Sequence, residues 1–364
     1  MVKSNIAQNR LDWVDAAKGL SIILVVMMYA AYSVGEDTGS ITILHWFIGF
    51  ATPFRMPEFF LISGLFLARV IDRPWLHFAD RRVVHYFYFY ALWAVIHILF
   101  KTLVATGDPL GALNLAVISL VQPYGVLWFI YILAIVSAAS KLMHSLKIPH
   151  WAGFAMAAAL QIAPIHTGAY AIDQFAEYFV YFYAGYAFAP RIFSLVEHAV
   201  KTPPYSLAIL GSWAIINFCL VFSSGYEITT THMNMGLAGL PVLHLALAIT
   251  GAMALCVSAA LLTKLPIMNW LSWMGSKSLV IYLSFALPMS TVRVVLIKLG
   301  IINNADILSL IVFALAMIAP LILYALIQKT GFGKFLIERP QWAHLPGAPG
   351  SKTHTPNALG VPAE

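Results

Sequence analysis

Asp306-Ile-Leu-Ser-Leu-Ile-Val-Phe-Ala-Leu-Ala-Met-Ile-Ala-Pro-Leu-Ile-Leu-Tyr-Ala-Leu-Ile-Gln328 carries no charge after its first residue. A run of roughly 20 such residues is what a helix needs to cross about 30 Å of hydrocarbon. Comparable runs lie near 18–34, 42–68, 84–105, 124–141, 151–167, 175–190, 204–224, 237–262 and 278–298, so about ten spans are expected in all. A further apolar piece at 111–122 is too short to cross and reads as an interfacial or re-entrant stretch. The whole chain agrees with this pattern. Its 364 residues are 61% hydrophobic and 10% charged, where a globular domain carries about 25% charged residues. That is too little polar surface to cover soluble domains. The expected fold class is all-α, a polytopic transmembrane helical bundle.

Charge sets the expected orientation. With the N-terminus inside, 17 of the 21 Lys and Arg fall on the cytoplasmic side, leaving Arg55, Lys101, Arg293 and Lys298 elsewhere. This bias is what the positive-inside rule predicts for ten spans with both termini cytoplasmic. The net charge of +6 is therefore a topology signal, and no nucleic-acid partner is expected. Cys219 and Cys256 lie in apolar runs and read as core hydrophobes. Asp12 and Asp15 sit where a cleaved signal peptide wants only positive charge. The aromatic runs 85–90 and 178–183 read as belts at the headgroup level. A membrane domain over 1–330 is expected, followed by a disordered cytoplasmic tail over 331–364, Pro-, Gly- and Ala-rich from Pro340 onward.

Ionisable groups at membrane depth are costly and are the first functional candidates. Asp15 and Lys18 are three apart on a helix and can pair. Tyr29 follows Lys18 by eleven residues, which puts both on one face roughly 16 Å apart. In Pro53-Phe-Arg55-Met-Pro57-Glu58 two prolines break the helix ladder, and Arg55 and Glu58 are placed to neutralise each other inside that break. Arg81 and Arg82 can hold a phosphate-bearing cofactor through bidentate contacts, or anionic lipid. His97 and His244 read as satisfied core residues, whereas His45, His166 and His232 fall near the outer face as candidate bases. No metal-ligand spacing or nucleotide-binding glycine loop occurs.

Six stretches, in order, resemble the membrane acyltransferase-3 family, in particular its fucose-4-O-acetylase-like and exopolysaccharide O-acetyltransferase branches. They are Arg10-Leu-Asp-Trp-Val-Asp-Ala-Ala-Lys-Gly-Leu-Ser-Ile-Ile-Leu-Val-Val26, Arg55-Met-Pro-Glu-Phe-Phe-Leu-Ile-Ser-Gly64, Arg81-Arg82, Leu127-Trp-Phe129, Tyr183-Ala-Gly185 and Trp273-Met-Gly-Ser-Lys-Ser-Leu-Val-Ile-Tyr282. The resemblance implies a bacterial inner-membrane enzyme. It would move an acyl group, usually acetyl, from acetyl-CoA or another acyl-CoA onto a hydroxyl of an extracytoplasmic glycan or lipid-linked saccharide. It also implies catalytic roles for Lys18, Tyr29, Asp15, Arg55 and Glu58, and donor binding by Arg81, Arg82 and Lys18. Here Lys18 stands where the family has Arg, and Tyr29 where it has a catalytic His. A phenol with a pKa of about 10 is a poor base near pH 7. Three readings therefore stay open: an acyltransferase, a relative that has lost transfer and serves as carrier, partner or sensor, or a secondary transporter.

Overall fold

The computed structural model describes residues 2–104 and 107–351. α1 (Val2–Thr38) is the central post, and α2 (Ile43–Ala51) returns beside it from the far end. The run 42–68 is broken, as its two prolines require: the chain turns at Thr52–Phe54 and restarts as α3 (Arg55–Leu67). Pro57 then falls in the first turn of α3, where its missing N–H costs nothing. α4 (Trp75–Phe78) and α5 (His85–Ile98) are joined by a π-helical turn, Ala79–Val84. α6 (Pro109–Ile118) is the short apolar piece, started by Pro109 and an Asp108 cap that accepts from Gly111 N at 2.9 Å.

α7 (Trp128–Ser145), α8 (His150–Ile162), α9 (Tyr170–Ala187), α10 (Ala189–Lys201) and α11 (Pro203–Val221) follow. A two-stranded ribbon (Glu227–Ile228 with Met233–Asn234) precedes α12 (Pro241–Leu262). The chain continues through α13 (Asn269–Gly275), α14 (Ser278–Ser284) and α15 (Ala286–Leu299) to α16 (Ala305–Thr330).

Ten full spans are not what the helices give. Among the described residues six are long and apolar enough to cross, or eight if the bent pairs α9–α10 (74°) and α14–α15 (49°) each count as one. The two remaining expected spans correspond to the broken α2–α3 pair and to α8, which has only 13 residues. The protein is nonetheless plainly an all-α, multi-pass membrane protein. Ile209, Ile215 and Phe218 on α11 and Ile322 and Leu326 on α16 face outward, as a hydrocarbon solvent allows. The charge distribution predicts both ends of the bundle inside, so a periplasm-only reporter fused after Lys329 is expected to stay silent. A strong signal there would reverse the orientation.

Two helix crossings organise the core. α1 packs on α13, and α3 on α9. Each is closed by glycine. A Cβ on Gly64 would stand under 3.0 Å from the Phe182 carbonyl oxygen, and one on Gly185 equally close to that of Leu61. Gly19 and Gly275 stand in the same relation to Leu271 and Asp15 across α1 and α13. Helices in lipid associate by this kind of small-residue close approach, because burial of apolar surface no longer drives them together.

Two expectations change here. The run 178–183 is not a belt: Phe179, Val180, Tyr181, Phe182 and Tyr183 are buried, because the α3–α9 crossing puts protein on every side of them. Phe89 and Tyr90 are likewise buried, and only part of the 85–90 run is more open. The second change concerns residues 331–351. Composition reads them as disordered, yet they form short turns at Lys334–Leu336 and Gln341–Ala343 and lie against α5. Their partners lie some 250 residues earlier, out of view of a local composition argument. Residues 352–364 of the expected tail fall outside the described residues.

Candidate functional site

Two polar groupings lie along α1. At the Lys18 end a cavity of about 260 Å³ is lined by Lys18, Ser63, Arg82, His85, Tyr86 and Ser278, with Phe129 and Tyr282 among its walls. Lys18 pairs with Asp15 at 3.0 Å, and its ammonium lies 4.5 Å from the centre of the Phe66 ring. Arg82 donates to the Phe66 carbonyl at 3.0 Å and to the Tyr86 hydroxyl at 2.9 Å. Phe66 belongs to the last turn of α3, whose carbonyls have no partner within the helix. Arg82 therefore caps α3 and still has donors to offer, since a guanidinium carries five. Arg81 is exposed and is not among the cavity-lining residues. The structure thus brings Lys18, paired with Asp15, and Arg82 to one cavity and leaves Arg81 off it.

The second grouping surrounds Tyr29. Its ring meets Phe285 at 5.4 Å between centroids, Trp128 is its hydrogen-bonding neighbour, and Arg55 is within electrostatic reach. Arg55 also acts on Glu177 and Tyr178, and Tyr170 sits close to both Tyr29 and Glu177. Tyr282 joins the two groupings. It lines the first cavity, lies near Tyr29, and fastens the start of α7 through the Phe129 N–H (3.2 Å) and the Val126 carbonyl.

Arg55 and Glu58 do not pair. Arg55 reaches back across the proline break to the Thr52 hydroxyl (3.2 Å) and the Ile48 carbonyl (3.5 Å). The end of α2 presents partial negative charge there, and it competes successfully for the guanidinium. Glu58 is fully buried, neither of its oxygens has a hydrogen-bond partner, and it lies near Cys256 of α12. A double-mutant cycle on Arg55→Ala and Glu58→Gln should therefore be additive within about 0.5 kcal/mol. Glu58→Gln alone should leave the amount of folded protein unchanged or raise it, read as monodisperse protein in detergent. A coupling above 1 kcal/mol would show that the two residues meet.

Of the histidines, His97 is buried with its Nε2 at 3.0 Å from the Leu283 carbonyl, as a satisfied core residue should be. His244 is half-buried, with its Nδ1 at 3.4 Å from Gln161. His45 is not available as a base. It is fully buried, with Nδ1 at 3.0 Å from Thr42 N and Nε2 at 3.0 Å from the Thr230 carbonyl. His166 and His232 are exposed. Arg293, one of the four basic residues outside the cytoplasmic count, pairs with Asp37 (3.0 Å) and the Ser33 carbonyl (2.9 Å) at the end of α1. Glu177 is the residue that sequence reasoning missed. It is a lone carboxylate inside the apolar run 175–190, and the rule that picked out Glu58 applies to it equally.

The acyltransferase-domain family matches residues 11–327. The inner membrane protein YcfT of Escherichia coli (strain K12) is 34% identical over 92 residues, which is 22% of this chain. The chain thus spans 25% of the length of that relative. No solved structure matches.

Proposed function

From its membership of the acyltransferase-3 family, to which this chain belongs over residues 11–327, we propose that it transfers an acyl group, acetyl in the first instance, from acyl-CoA to a hydroxyl of an extracytoplasmic glycan or lipid-linked saccharide, in a bacterial inner membrane. The observation that carries this reading is that Lys18 and Tyr29, on one helix, each gather a cationic group from elsewhere in the fold, Arg82 at one end and Arg55 at the other, with Tyr282 near both.

The residues fit the donor. A cavity of about 260 Å³ is below the roughly 300–1,000 Å³ of drug-sized pockets. It suits a slender pantetheine arm while the nucleotide end stays outside. Lys18 and Arg82 supply positive charge for the phosphates, Arg82 with a fork suited to them. In the transfer the acceptor oxygen attacks the thioester carbonyl, the C–S bond breaks and the ester C–O bond forms. The hydroxyl proton passes to a base, and the leaving thiolate of CoA takes up a proton. Arg55 is the group placed to steady negative charge developing on the carbonyl oxygen. The Glu177 carboxylate, which shares Arg55 and Tyr170 as neighbours with Tyr29, is the proton acceptor.

The test is to incubate membranes with radiolabelled acetyl-CoA and to follow label into surface polysaccharide, with and without the gene. Gene-dependent label is expected. Its absence, with the protein present and folded, overturns the reading. The phenol at position 29 favours the second reading, a relative that holds an acyl donor without transferring the group.

A further inference from the structure

Asp80 lies in the π-helical turn between α4 and α5 and is fully buried. Its carboxylate is met from the far end of the chain. Arg339, itself 3% exposed, pairs with the Asp80 carboxylate through Nη2 and donates through Nη1 to the Asp80 carbonyl at 2.7 Å. His344 Nδ1 stands 3.0 Å from the same carboxylate, and the Leu345 N–H donates to its other oxygen at 2.8 Å. The segment is also fastened along α5. Tyr88 donates to the Phe335 carbonyl at 3.0 Å, and the Trp93 indole to the Leu336 carbonyl at 3.1 Å.

What this clasp holds matters because of the turn it grips. A π turn carries one residue more than α-helical geometry and re-aims the side chains around it. Here it points Asp80 at the C-terminal segment, while Arg82, His85 and Tyr86, just beyond, line the donor cavity. Breaking a buried pair strands the surviving charge, which is strongly destabilising. The stranded Asp80 can be relieved if the turn relaxes to α-helical geometry. That relaxation rotates the residues on either side of it relative to each other by about 100°, and it takes Arg82 off the cavity wall and off its cap on α3.

We propose that residues 331–351 are a strap that holds the donor cavity in register, with Arg339 and His344 as positioning residues that act through Asp80 on Arg82. This rests on the cavity being the acyl-CoA site, and the experiment separates the two ideas. Coenzyme A itself is titrated calorimetrically into the purified full chain. Arg339→Ala should weaken binding about tenfold or more, the scale of a lost charge-assisted hydrogen bond, and Arg339→Lys should recover part of it. His344→Ala, at a more open position, should move the same way by less, and it stands in if Arg339→Ala does not fold.

A second readout needs no ligand. Maleimide labelling of Ser278→Cys, a residue of the cavity wall, is followed by peptide mass spectrometry. Its rate should change about threefold or more when the clasp is broken. If wild type binds no coenzyme A, the donor reading falls and the labelling rate alone decides the strap. Unchanged labelling in the folded clasp variants overturns the strap, as does unchanged binding where wild type does bind.

Discussion

Gly64→Ala is expected to remove most of the folded protein, although it adds a single methyl group and an alanine normally favours a helix. The added Cβ would press on the Phe182 carbonyl oxygen and carbon and on the Tyr186 nitrogen, all backbone atoms. No rotamer change can relieve it, so α3 and α9 must separate. Overpacking a core costs about 1–3 kcal/mol when side chains can adjust, and a backbone-to-backbone clash lies at or beyond the top of that range. Moving the helices apart also undoes the reciprocal contact of Gly185 with Leu61 and loosens the Phe60 and Tyr178 rings, stacked at 5.0 Å. Gly211 is the matched control. It too lies within a helix, but a Cβ there meets nothing within 4 Å. Gly211→Ala should hold or raise stability by up to about 1 kcal/mol. Monodisperse yield in detergent and the thermal midpoint read both variants. Equal behaviour of the two would mean that α3 and α9 do not cross at these glycines.

These glycines show what in the sequence was legible. Gly19, Gly64, Gly185 and Gly275 all lie in the stretches that carry the family resemblance, and the crossings give the physical reason for glycine there. Apolar run length located most of the helices, and Pro53 with Pro57 located the break. Run length could not tell a straight span from a bent one. α14 turns by 49° into α15 within the single apolar run 278–298, whereas the run 175–190 stops where α9 turns by 74° into the more polar α10. The aromatic run 178–183 misled for a related reason. A segment enclosed on all faces has no polar stripe, and by composition it resembles one lying at an interface.

Partners were harder to read than positions. The three-residue spacing of Asp15 and Lys18 is enough to predict their bridge, because helix geometry supplies the contact. The same spacing fails for Arg55 and Glu58, because a broken helix exposes carbonyls that compete for the cation. Asp80 carries no local hint of Arg339, and the pair is set by tertiary packing alone. Glu177 was readable in principle, but that Arg55 of α3 comes within its reach depends on how α9 packs on α3.

Replacing Glu177 by Gln should reduce acyl transfer by about 10²–10⁴-fold, the range that a positioned acid–base group contributes. Tyr29→Phe should change it by less than about tenfold. The motive is that Tyr29, where the resemblance implies a His base, is a phenol too weakly basic to take a hydroxyl proton near pH 7, while Arg55 is within electrostatic reach of both Tyr29 and the Glu177 carboxylate. Gln keeps the shape and hydrogen-bonding reach of Glu and removes only its ability to accept a proton, so a folded but inactive variant isolates that step. Tyr29→His supplies an imidazole with an ordinary pKa of about 6.5 in the family's own place, and added to Glu177→Gln it should restore much of the loss. The measurement is the rate of label transfer from acetyl-CoA, at matched amounts of monodisperse protein. Two results would redirect the assignment. If Glu177→Gln transfers at the wild-type rate, the proton goes elsewhere, and the exposed His166 and His232 are next. If Tyr29→Phe abolishes transfer, the phenol hydroxyl itself takes part, and Glu177 serves to orient it.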